Sequence, residues 1–142
     1  MTTLTGYSEL AGDGVASIVF DNPSVYIKTV KEGIQGKVLK QAVSYIGERD
    51  LFVRVLNTTS GNLSRFFQKK LLSCNESEQV LDTLKVYRYA NSVFGDASKT
   101  KEFFNMHIPA LNGEKPIELL DTFAGRRLVQ DMLRKVEYGE FS

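Results

Sequence analysis

Val38, Leu39, Ala42, Val43 and Ile46 fall at the spacing of one helical face, and Gly47 follows as a stop. A second, short helix is predicted from about Asp50 to Leu56, with Asp50 as its cap and Asn57 in the left-handed conformation that ends it. After the turn "NTTS", Ser60 can cap a third helix reaching about Lys70. Its buried face would be Leu63, Phe66 and Phe67, and its polar face Asn62, Ser64, Arg65, Gln68 and Lys69.

Ser73 and Glu76 stand at capping-box spacing and open a long helix whose apolar stripe is Val80, Leu84, Tyr87, Ala90 and Phe94. Gly95 stops it. Asp96 can cap the next helix, which carries Phe103 and Phe104 before Pro109 forbids continuation. Pro116 suits a first helical turn, with Ile117, Leu119, Leu120 and Phe123 buried behind it and Gly125 as its breaker. A last helix, about Arg126 to Tyr138, would bury Val129, Met132, Leu133 and Val136, and Gly139 ends it before the tail "EFS".

Residues 1–24 differ in kind. They are rich in Thr, Ser and Gly, and only "VASIVF" has the pattern of a brief strand, so they read as a flexible arm or short extended segment. The expectation is an all-α chain of three parts: this arm, a helical domain over 25–72, and a second helical domain over 73–142.

Composition narrows the function classes. With 142 residues, 42% hydrophobic and 25% charged, the chain has ordinary globular values and disorder is not indicated. The net charge of +1 conceals an uneven distribution. Residues 24–72 carry nine Lys and Arg against three acidic residues, whereas residues 73–142 carry nine against eleven, which suggests two jobs.

A single Cys74 and a single His107 allow no internal disulfide and no zinc site of standard spacing. The expected setting is a reducing cytoplasm, for the amino terminus lacks a signal-peptide pattern and no apolar run approaches the ~20 residues of a membrane span. Neither a glycine-rich phosphate loop nor an HExxH pair occurs. His107 and Cys74 have no identifiable partner base, and the pairs Glu76/Glu78 and Glu118/Asp121 sit in early helical turns, where the helix dipole explains them. The chain reads as a non-enzyme with no cofactor or metal.

The segment from Gly47 to Lys70 has the form of a helix-turn-helix. Arg65, Lys69 and Lys70 could meet phosphates, while Asn62 and Ser64 offer hydrogen bonds to base edges, and Gln68 belongs to the same DNA-facing set. A solvated scaffold face would have the same residues, so both readings stand.

Leu72, Ser73, Glu76 and Ser77, then "VFGD" at Val93 to Asp96, then the span from Pro109 to Pro116, then Leu119, Leu120, Thr122 and Gly125, and finally Gly139 form an ordered pattern. In it the chain resembles the Xre/MbcA/ParS-type antitoxins that accompany RES-domain toxins, from about Lys28 to Gly139. Departures occur: Phe103 and Phe104 where the family commonly has a Trp, Lys115 for the usual Ser or Thr, Asn57 for a Gly, and Gly61, Asn62 and Leu63 for Arg-Thr-Leu.

The resemblance implies an Xre-like helix-turn-helix joined to a toxin-binding domain. It implies an NAD-consuming RES toxin silenced when its active site is covered, with an antitoxin homodimer repressing its own operon. Toxin contact is expected from the last helix and tail, at Arg127, Arg134, Tyr138, Glu140 and Phe141. The alternative is a free-standing transcription regulator whose carboxy-terminal part serves dimerisation.

Overall fold

The computed structural model describes residues 11–139, which form helix after helix with no strand among them. Two compact units share the chain, one running to Leu84 and the other starting at Lys85.

The first unit comprises α1 (Ser17–Asp21), α2 (Pro23–Glu32), α3 (Gly36–Ile46), α4 (Arg49–Val55), α5 (Ser60–Gln68) and the first half of α6 (Cys74–Phe94). "VASIVF" is not a strand. The Asp13 carboxylate accepts from the Val15 N–H at 3.0 Å, and a short helix starts at Ser17 with Val15, Ala16 and Val19 buried. Burial of these residues docks 11–24 rather than leaving it a loose arm. The Asn22 side chain then caps α2 at the Ser24 and Val25 N–H groups, beside Pro23 in the first turn, where its missing donor costs nothing.

α3 ends as its sequence dictates, with Gly47 at φ 77°. Asn57, at φ 51°, ends the α4 region in the left-handed conformation. Asp50 does not cap α4; it lies in the first turn and pairs with Arg54 at 3.7 Å. α5 starts one residue earlier than a Ser60 cap requires, because the Thr59 hydroxyl takes the Asn62 N–H at 3.1 Å.

Leu63 is the buried residue of α5, while Phe66 and Phe67 are only half-buried. Cations cover those rings instead of core: Lys69 Nζ lies 4.3 Å from the Phe66 centroid, and the Arg49 guanidinium 5.6 Å from that of Phe67. The Ser73/Glu76 capping box forms as expected, with bonds of 2.9 and 3.1 Å. Ser77 is buried one turn on, and its hydroxyl accepts the Ile34 N–H at 2.9 Å, while the Leu72 N–H donates to the Ile34 carbonyl at 2.7 Å. The α2–α3 link is thereby pinned to the segment leading into α6.

The second unit contains the rest of α6, α7 (Ala97–Phe104), a 3-10 turn (Pro109–Leu111), α8 (Pro116–Leu119) and α9 (Phe123–Glu137). Asp96 caps α7 through the Ser98 and Lys99 N–H groups. An aromatic cluster fills the space between α6 and α7: Tyr87 stacks on Phe104 at 4.8 Å, and Phe103 meets both Phe104 and Phe94 at 5.2 Å. Leu120, Val129, Met132 and Leu133 complete the core, with Val136 half-buried.

The Pro116 helix is a single turn and does not run on to Gly125. Its amino end is closed by the Glu118 carboxylate, which accepts the Lys115 N–H at 3.1 Å. α9 starts before Gly125, not after it. Thr122 caps this helix by accepting the Gly125 N–H at 2.9 Å. Gly125 is buried in its first turn, where a Cβ would collide with the Leu119 carbonyl. Close packing, not helix breaking, selects glycine there.

Candidate functional site

α9 separates its residues sharply by side. Val129, Met132 and Leu133 point inward, whereas Arg127, Arg134 and Tyr138 are exposed. At about 100° per residue, Phe123, Arg127, Asp131, Arg134 and Tyr138 lie within an arc of about 80° on the helix. Three of the expected toxin contacts therefore share one exposed face. Glu140 and Phe141 lie outside the described residues.

Two features of this face escaped the sequence pattern. Phe123, expected in the core, is 70% exposed at the start of α9, while Tyr138 at its end is 68% exposed, as an expected contact should be. Arg126 is the reverse case, a charged residue only 1% exposed. Its Nη1 donates to the Leu120 carbonyl at 3.0 Å, and its guanidinium lies 5.5 Å from the Phe123 ring centroid. Chain order gave the signal that could have found this pair: once Thr122 is taken as the cap, Phe123 turns outward and Arg126 inward with Val129 and Leu133.

Charges on the face are mostly positive. Arg134 is ion-paired with Asp131, while Arg127 and Lys135 add exposed cations, and Leu128 is a further exposed apolar residue. At the carboxy end the Tyr89 hydroxyl donates to the Glu137 carboxylate at 2.6 Å. Burial, then the Glu137 hydrogen bond and charge, push the Tyr89 phenol from 10.0 up to about 12.

An apolar groove of about 480 Å³ lies elsewhere in this unit, walled by Phe94, Phe103, Met106, Ile108, Pro109 and Val136. His107 also borders it, with Nδ1 2.8 Å from the Gly113 carbonyl oxygen. Cys74 is exposed at the start of α6. Among the described residues no group of three His, Cys, Asp or Glu side chains could hold a metal ion, and no helix is long and apolar enough to cross a membrane.

In the first unit the expected DNA-contact residues are all exposed on or just after α5. Ser64, Gln68 and Arg65 occupy about 100° of helix surface opposite Leu63, with Asn62 beside them. Two members already have partners: the Ser64 hydroxyl accepts from Arg49 at 3.1 Å, and Lys69 pairs with Glu76 at 3.5 Å. Arg65, Gln68 and Lys70 stand clear of the core.

Comparison with known proteins bears on the second unit most directly. Residues 90–139 match the antitoxin Xre/MbcA/ParS C-terminal toxin-binding domain. Over nearly the whole length, the chain is similar to a protein of Sphingobium sp. (strain YBL2) named Prs ADP-ribosylating antitoxin. The two are 23% identical over 154 residues, covering 97% of each chain. The matched stretch contains the end of α6 and every helix through α9, so the exposed face built from Arg127, Arg134 and Tyr138 lies within the part of the chain that is similar to the toxin-binding domain of the Xre/MbcA/ParS-type antitoxins.

Proposed function

We propose that this chain is an antitoxin that neutralises an NAD-consuming RES-domain toxin by covering its active site with the exposed face of α9 and the tail that follows. The observation that carries the reading is the gathering of Arg127, Arg134 and Tyr138 on one exposed face within the matched domain. Glu140 and Phe141 extend that contact. ADP-ribosylation, the chemistry in the relative's name, consumes NAD, which supports a toxin of that kind as the partner. Caps and close glycine contacts fix the short helices around α9, so little conformational entropy is lost when the face meets its partner. The antitoxin itself needs no catalytic group for this task.

The exposed, basic side of α5 supports a second role for the same chain. A cytoplasmic homodimer would place two such helices on operator DNA, with Arg65, Lys69 and Lys70 on phosphates and Asn62, Ser64 and Gln68 at base edges. Repression of its own operon would follow.

A tagged copy isolated from its native host at moderate salt tests the toxin reading. The expected result is stoichiometric recovery of a small RES-domain protein that consumes NAD only after separation. Recovery of the chain alone, from cells shown to make such a protein, overturns it.

A further inference from the structure

We propose that Phe123 is the anchor of the toxin contact and that it enters an apolar hollow rimmed by carboxylates on the toxin. The inference rests on the reading that α9 faces a toxin, and it adds the chemistry of the surface on the other side. Exposure alone does not single Phe123 out, since apolar atoms make up much of any protein surface. Its support does.

Phe123 follows the Thr122 cap directly, so its backbone is fixed by the hydrogen bond to Gly125. Beneath it the buried Arg126 guanidinium is held by the Leu120 carbonyl and sits 5.5 Å from the ring centroid, within cation–π range. Arg126 is thus a positioning residue, and a ring already held in place loses little freedom when a partner encloses it. Aromatic side chains, Phe among them, are enriched in the cores of protein interfaces.

Electrostatics chooses the partner. Arg127, Arg134 and Lys135 outnumber Asp131 and Glu137 along the solvent side of α9, and Asp131 is already paired with Arg134 while Glu137 accepts from Tyr89. A surface with carboxylates around an apolar hollow complements this pattern, taking the ring in its centre and the cations at its rim. A second copy of the same face would set Arg127 and Arg134 against their own kind. That occupant is disfavoured.

The test uses the full chain and the RES-domain protein recovered with it, titrated against each other at low and high salt. Phe123→Ala should weaken binding at least about 30-fold, the range of interface hot spots, with the melting temperature of the free chain unchanged. Arg127→Glu should weaken binding most at low salt and flatten the salt dependence seen with the wild type. Wild-type affinity in Phe123→Ala, or unchanged affinity and salt dependence in Arg127→Glu, overturns the proposal while the toxin-binding reading stands. A shift of Phe123→Ala from dimer to monomer overturns it in favour of a second copy. Failure of the wild-type chain to bind any RES-domain protein removes the reading and the inference together.

Discussion

The Tyr89 hydroxyl and the Glu137 carboxylate, 2.6 Å apart, tie the carboxy-terminal half of α6 to the last turn of α9. The bond holds α9 at the end where Tyr138 emerges. Breaking it with Tyr89→Phe should cost about 1 kcal/mol, less than the ~1.5–3 kcal/mol of a buried hydrogen bond to a charged acceptor because this one is solvent-exposed, read from chemical denaturation at neutral pH.

The same pair predicts a pH dependence. Because the folded-state phenol is raised from 10.0 to about 12, its contribution is complete below pH 10 and fades as pH rises through 12. Tyrosinate absorbance of the folded wild type should include a phenol that ionises late. Tyr89→Phe should lose that late step, and its retention would assign it to another tyrosine.

Two glycines should respond oppositely to alanine. Gly125→Ala forces a methyl against the Leu119 carbonyl and should destabilise by about 1–3 kcal/mol, as overpacking does. Gly61→Ala, where no described atom lies within 4 Å of the added carbon, should stabilise by about 0.5 kcal/mol through lower unfolded-state entropy. Thermal melts of the two variants separate a packing glycine from a merely permissive one.

Capping by Thr59 rather than Ser60 has a direct check. Thr59→Ala should cost about 1 kcal/mol of stability, whereas Ser60→Ala, which leaves the bond to Asn62 intact, should be nearly neutral. Equal losses in denaturant midpoint would contradict the observed cap.

The proposed interfaces are separable by mutation. Arg65→Ala or Lys70→Ala should weaken binding to operator DNA and lower its salt slope by about one per lost phosphate contact, with toxin inhibition unchanged. Removing Gly139 to Ser142 should do the opposite, weakening inhibition without moving the melting temperature. If that truncated chain inhibits fully, the tail has no share in the contact.

Elements closed by local chemistry were legible in the chain itself. Gly47 ends α3, the Ser73/Glu76 box opens α6 and Asp96 caps α7, because each signal acts within a few residues. Gly125 was not legible as a packing residue, since a helix stop and a close carbonyl contact both call for glycine and only tertiary structure distinguishes them. That ambiguity placed Phe123 inside and overlooked Arg126. Phe66 and Phe67 were assigned to the core for a similar reason: hydrophobicity alone does not reveal that Lys69 and Arg49 cover them. At the amino end, Thr, Ser and Gly concealed the docking of Val15 and Val19.

Helical phase on α9 sets a constraint of its own. Phe123 and Tyr138 share a side because fifteen positions make just over four turns and leave them only about 60° apart. One residue inserted between Arg127 and Arg134 would swing Tyr138 by about 100° relative to Phe123, whatever its identity. The stretch should therefore accept many exchanges of side chain and almost no change of length.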